Sequence, residues 1–141
     1  MTLTVPATLT SPRIRPARRL WEAEYPQLAG WCDALVGDPA SAHAIAATAF
    51  TRLFARRRVV RDQRSWLYLE AWALVRRRWH SCQERGWLGE AVHQLPLQLQ
   101  LPVLLPCYAD LPLRDVGHAL GMSDADVASA VVAAGGWVRP G

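Results

Sequence analysis

"LPLRDVGHALGMSDADVASAVVAAGGWV", Leu111–Val138, sets the fold class. Pro112 opens a short helical run through Leu120, at a position where no N–H is needed. Gly121 can take the left-handed backbone conformation that ends such a helix. Ser123 then caps a second helix, expected over Asp124 to Ala134 and stopped by Gly135-Gly136. Helix, glycine turn and capped helix is the layout of a helix-turn-helix, although any tight pair of helices shares it.

Helical spacing continues upstream, and strand signals are nearly absent, so the expected fold is all-α. A helix from Leu97 to Tyr108 contains Pro102 and Pro106, which should kink or shorten it. Three longer helices precede it. The first is expected over Arg18 to Leu35, with Trp21, Leu28, Cys32 and Leu35 along one side. "GDPA" then turns the chain, with Asp38 as cap and Pro39 in the first helical position. The second helix runs to about Arg57, presenting Ala42, Ala46, Phe50 and Leu53 on one face. The third spans Ser65 to His80. The chain therefore divides into a tail (1–17), a helical module (18–80), a short linker (81–94) and a helix-turn-helix-like module (95–141).

At 141 residues, half of them apolar, such a chain can bury a core without disulfides or metal. No apolar run reaches the roughly 18 residues of a membrane span. The N-terminus reads as a Pro/Thr/Arg tail and not as a secretory signal. Cys32, Cys82 and Cys107 are an odd, scattered set, suited to reduced thiols in a cytoplasm. Charge is uneven: residues 1–80 hold 13 Arg against 6 acids, and residues 81–141 hold 3 Arg against 6 acids. All 16 basic residues are arginine, a bias attributed mainly to genomic base composition. A basic first half fits nucleic acid, yet a solvated face is the commoner cause of such a pattern.

Three segments, in order, resemble one family: bacterial sigma-70-type transcription initiation factors of the extracytoplasmic-function (ECF) group. "LVGDPASAHAIAATAF" is similar to the family's polymerase-docking helix, and "SWLYLEAWALVRRRW" to the next helix, which opens and reads the upstream promoter element. The stretch from Leu95 to Val131 resembles its C-terminal helix-turn-helix. Together with their spacing these segments cover most of the chain. The resemblance implies transcription regulation and DNA binding in the cytoplasm. Its implied partners are core RNA polymerase or a sigma-type regulator protein and promoter DNA, with no cofactor and no membrane.

The departures from the family are as informative. Its docking helix carries Asp, Gln and an acid ahead of a Phe. Here Phe50 is kept, while Ala44, Ala47 and Thr48 stand at the polar positions. Contacts of about 1–3 kcal/mol each are forfeited if relatives make them there. The final helix offers two aspartates and two serines where groove-reading donors are needed, and has no basic residue before Arg139. Val127 and Val131 fill a core side, whereas Val132 leaves the opposite side apolar and points to protein packing. The 14 residues from Ser81 to Gln94 reach at most about 50 Å when extended, barely enough for two promoter elements more than one DNA turn apart. Modules packed on each other fit better.

Other side chains invite chemistry. Trp72, Arg76 and Trp79 share one helix stripe beside Tyr68, a pattern able to stack on unpaired bases. The simpler alternative makes the aromatics a buried face with Arg76 at its edge. Arg77 and Arg78 project elsewhere, toward phosphate or merely at a helix end whose dipole favours cations. Arg56, Arg57 and Arg58 allow the same two readings. His80, Cys82 and His93 lack regular zinc spacing, so no metal is expected. His43, His93 and His118 read as surface or edge histidines, and nothing suggests an enzyme.

Two functions follow. One is a sigma-like regulator whose DNA-binding residues are Trp72, Arg76, Arg77, Arg78 and Trp79. The other is a protein-interaction module, homo- or hetero-oligomeric, using Ala44, Ala47, Thr48, Phe50, Val127, Val131 and Val132.

Overall fold

The computed structural model describes residues 15–56 and 59–135. The described residues form seven α-helices and no strand, an all-α fold. Most of the expected tail lies outside the described residues, as do Arg57, Arg58, Gly136 and Arg139.

Helix α1, Arg15–Val36, begins three residues before its expected start. Trp21, Leu28, Cys32 and Leu35 along its inner side are fully buried. Pro26 lies inside the helix and removes one backbone hydrogen bond, at a cost of about 3 kcal/mol. Burying Leu28 and Leu35 returns about 1.5–3 kcal/mol each, so packing outweighs the proline.

Gly37, at φ 76°, turns the chain into α2, Pro39–Arg56. Asp38 caps it by accepting from the Ser41 N–H and hydroxyl. The Ser41 hydroxyl bond is the main reason that the Asp38 carboxyl is held below its ordinary range. Ala42, Ala46, Phe50 and Leu53 form the buried face. Its alanines let α2 lie close on α1, where Trp21 stacks on Tyr25 at 4.2 Å and meets Phe50 edge-on at 4.9 Å. His43 is half-buried at this edge, and its Nδ1 is hydrogen-bonded to the Tyr25 hydroxyl.

Helix α3, Gln63–Ser81, starts two residues before Ser65, capped by Asp62, whose carboxylate accepts from the Ser65 N–H at 3.0 Å. Tyr68, Trp72 and Val75 face the core, and Trp31 meets Tyr68 edge-on at 5.0 Å. Burial pushes the Tyr68 phenol pKa well above its usual value.

The expected linker, residues 81–94, contains a helix. α4, Trp87–His93, lies against α1. The Gly86 N–H donates to the Leu35 carbonyl at 3.0 Å, satisfying one of the acceptors that a helix C-terminus leaves open. A Cβ on Gly89 would stand 2.1 Å from the same oxygen, so only glycine allows this approach.

Helix α5, Leu97–Tyr108, keeps its expected length with Pro102 and Pro106 inside it. The two prolines are one turn apart and Pro102 is buried, so packing of Val103, Leu104 and Leu105 holds a helix that local preference opposes. α6, Leu113–Leu120, ends at Gly121 (φ 67°), and the Met122 N–H returns to the Gly117 carbonyl at 2.8 Å. α7, Asp124–Ala133, is capped by Ser123, whose Oγ accepts from the Asp126 N–H at 3.1 Å.

One cluster of buried side chains runs from Trp21 to Ala134, so both halves share a core. Arg64 ties the seam polarly: its guanidinium lies 3.2 Å from Glu24 on α1 and donates to the Ala109 carbonyl at 3.0 Å. The Gln27 amide donates to the same carbonyl at 3.2 Å. Asp110 adopts φ 55°, a left-handed conformation that aspartate tolerates, and turns the chain toward α6.

Two of the helical glycines, Gly89 and Gly30, should respond oppositely to alanine. Gly89→Ala drives a methyl into backbone and should cost about 1–3 kcal/mol. Gly30 has open space around it, and Gly30→Ala should gain about 0.4–1 kcal/mol. Urea denaturation followed by circular dichroism measures both, and a Gly89→Ala variant as stable as wild type would contradict the packing of α4 on α1.

Candidate functional site

A groove runs between the exposed sides of α2 and α3. Ser41, Ala44, Ile45 and Thr48 form one wall, and Leu74, Arg77, Arg78 and Ser81 the other, around about 350 Å³. Its origin is helical periodicity: Ala44 and Thr48 are one turn apart, on the α2 surface left over when Ala42, Ala46 and Ala49 turn inward. Small side chains there leave a hollow, since alanine at 44 cannot reach α3. Residues assigned from sequence to two different surfaces, Ala44 and Thr48 for protein and Arg77 and Arg78 for DNA, therefore lie in one groove.

The two arginines differ. Arg78 is half-buried, with one terminal nitrogen 3.9 Å from the Asp38 carboxylate, while its Nε has no acceptor. Arg77 is exposed and enters no ion pair among the described residues, and the same holds for Arg76. The groove thus has an apolar floor from Ile45 and Leu74 and a cationic rim. That combination suits an apolar segment bearing a carboxylate.

Other expected site residues belong to the core. Phe50, Trp72 and Val127 are buried at 1%, 5% and 0% exposure, and each supports packing that a surface role would have to break. Trp79 is half-buried: it meets Trp72 edge-on at 5.6 Å, and the Arg85 guanidinium lies over its ring at 5.6 Å. The Trp72–Arg76–Trp79 stripe is consequently not a base-stacking platform. Ala47 is half-buried against the core and outside the groove.

The outer side of α7 is a separate surface. Val132 is 80% exposed, and Asp124, Ala125, Asp126, Ser129 and Ala133 are also exposed. Val131 is half-buried, and Val127, Ala130 and Ala134 pack inward. This side combines acid with small apolar groups and carries no cation, a poor match to a phosphate backbone.

Among the described residues no cluster of three or more His, Cys, Asp or Glu side chains is placed to hold a metal ion. No helix among the described residues is long and apolar enough to cross a membrane. Cys32 is fully buried, and burial raises its thiol to about 12, which leaves it a packing residue. The sequence reading missed Arg85, Glu24 and Gln100. Their partners are remote or sit in α4, which has no strong sequence signal.

The two valines of α7 provide a check on this division. Val132→Asp should change stability by no more than about 0.5 kcal/mol, because the site is already in water. Val127→Asp buries an unpaired charge and should unfold the α5–α7 region. Thermal unfolding of both variants distinguishes them, and equal loss would contradict the orientation of α7.

Comparison with protein-family models, curated proteins and solved structures gives no match.

Proposed function

We propose that this chain is a cytoplasmic, sigma-factor-like transcription regulator that acts chiefly by binding protein, either core RNA polymerase or a sigma-type regulator. The observation that carries the proposal is the α2–α3 groove. It lies on the helix that resembles the family's polymerase-docking element, and its rim supplies Arg77 and Arg78. Ala44 and Thr48 remove polar reach but create a recess, so grip passes from side-chain hydrogen bonds to apolar burial steered by charge.

The α6–Gly121–α7 pair is read as the helix-turn-helix of that family, with its second helix turned to other use. Asp124 and Asp126 stabilise the positive end of α7 and oppose phosphate. The shared core also counts against two modules reaching separated promoter elements. DNA binding survives as the second reading because Arg76 and Arg77 are exposed and enter no ion pair among the described residues.

Purified core polymerase and fluorescently labelled chain test the first reading. Leu74→Asp and Arg77→Glu should each weaken binding about tenfold or more, with helical content unchanged. Undetectable binding of wild-type chain, or binding indifferent to both variants, removes core polymerase as the partner at this groove. For the second reading, Arg76→Ala with Arg77→Ala should lower promoter-DNA affinity and reduce the salt slope by about two phosphate contacts. Unchanged affinity and slope would eliminate it.

A further inference from the structure

We propose that the cleft where α3, α4 and α5 meet is a binding site for a small dianionic phosphate compound, either a phosphate monoester or a diphosphate. The cleft encloses about 390 Å³, within the range of small-molecule sites. Arg76 and His80 of α3, Arg85 of the connection and His93 at the end of α4 all line it. No carboxylate does. Arg85 also pairs with Glu90 at 3.7 Å, a side chain that is 60% exposed and lies outside the lining. Two arginines and two histidines lining one concavity, with no carboxylate in the lining, favour an anion there.

The floor is preorganised. Gln100, nine-tenths buried, donates to the carbonyls of Val92 and Leu95 at 3.3 and 3.2 Å, which fixes the end of α4 against α5.

A compact ligand fits better than a nucleic-acid strand. Trp79 has one face covered by Arg85 and is met edge-on by Trp72, which disfavours stacking of a base on it. A terminal phosphate also brings more charge to one point than a backbone diester does. Such a ligand would bridge α3 to α4 and α5 and so stabilise the closed arrangement of the two halves. This inference does not rest on the proposed polymerase groove, which uses the other side of α3.

Titration calorimetry and thermal unfolding of the full chain test it, with pyrophosphate and ADP as probes at constant ionic strength. One saturable site per chain and a raised unfolding temperature are expected. Arg76→Gln and His93→Gln should each weaken pyrophosphate binding about tenfold or more, while Arg77→Gln, outside the cleft, leaves it unchanged. Absence of saturable binding overturns the proposal, as does equal weakening by Arg77→Gln, which would mark diffuse charge attraction. Displacement of pyrophosphate by a single-stranded oligonucleotide, lost in Arg76→Gln, would reassign the cleft to nucleic acid and overturn it too.

Discussion

The close approach of α4 to the end of α1 is the constraint on which the rest of the arrangement depends. Leu35 ends a long helix with its carbonyl unpaired by its own backbone, and Gly86 supplies the missing donor at 3.0 Å. Gly89, one turn into α4, lets the two backbones meet where any side chain would collide. The same glycine faces the Trp79 ring, which a Cβ would approach to 3.0 Å. One contact therefore sets α4, seats the end of α3 and aims the chain into α5. Arg64 makes the corresponding tie at the other end of the seam, joining Glu24 to the Ala109 carbonyl.

The fold was legible wherever side-chain periodicity was long enough to register. Trp21, Leu28, Cys32 and Leu35 lie three, four or seven residues apart over four helical turns, and all four are fully buried. The turns around Asp38 and Gly121 were equally plain, because each needs a particular residue: a carboxylate that caps, or a glycine at positive φ. α4 was not. Seven residues give fewer than two full turns, its N-cap is a glycine with no side-chain bond, and Gly89 reads as a breaker when seen without Leu35. Pro102 and Pro106 misled in the opposite direction, since the core around Leu104 holds a helix against its local preference.

The candidate site was legible as residues but not as a place. Ala44 and Thr48 stood out by what they lack, and Arg77 and Arg78 by their charge. Nothing in the chain order says that these pairs share a groove, because that depends on the crossing of α2 and α3. The aromatic stripe shows the converse error. Spacing places Trp72 and Trp79 on one side of a helix, and only the tertiary packing decides that this side faces the core and Arg85 more than solvent.

The alanines of α2 then acquire a positive role. A long polar side chain at 44 or 48 would project across the gap toward Leu74 and close the recess, turning a groove into a ridge that needs a matching polar groove opposite. With alanine and threonine the hollow stays open, and Ile45 and Leu74 line it. A partner able to use it must bring its own apolar side chain, and the arginine rim selects one flanked by acid. The acidic, small-residue side of α7 has that character itself, so a fold of this kind can offer both halves of such a contact on different surfaces. Which of them meets another molecule is then a question of competing apolar burial, and the valine at 132, standing free in water, sets the strength of the rival.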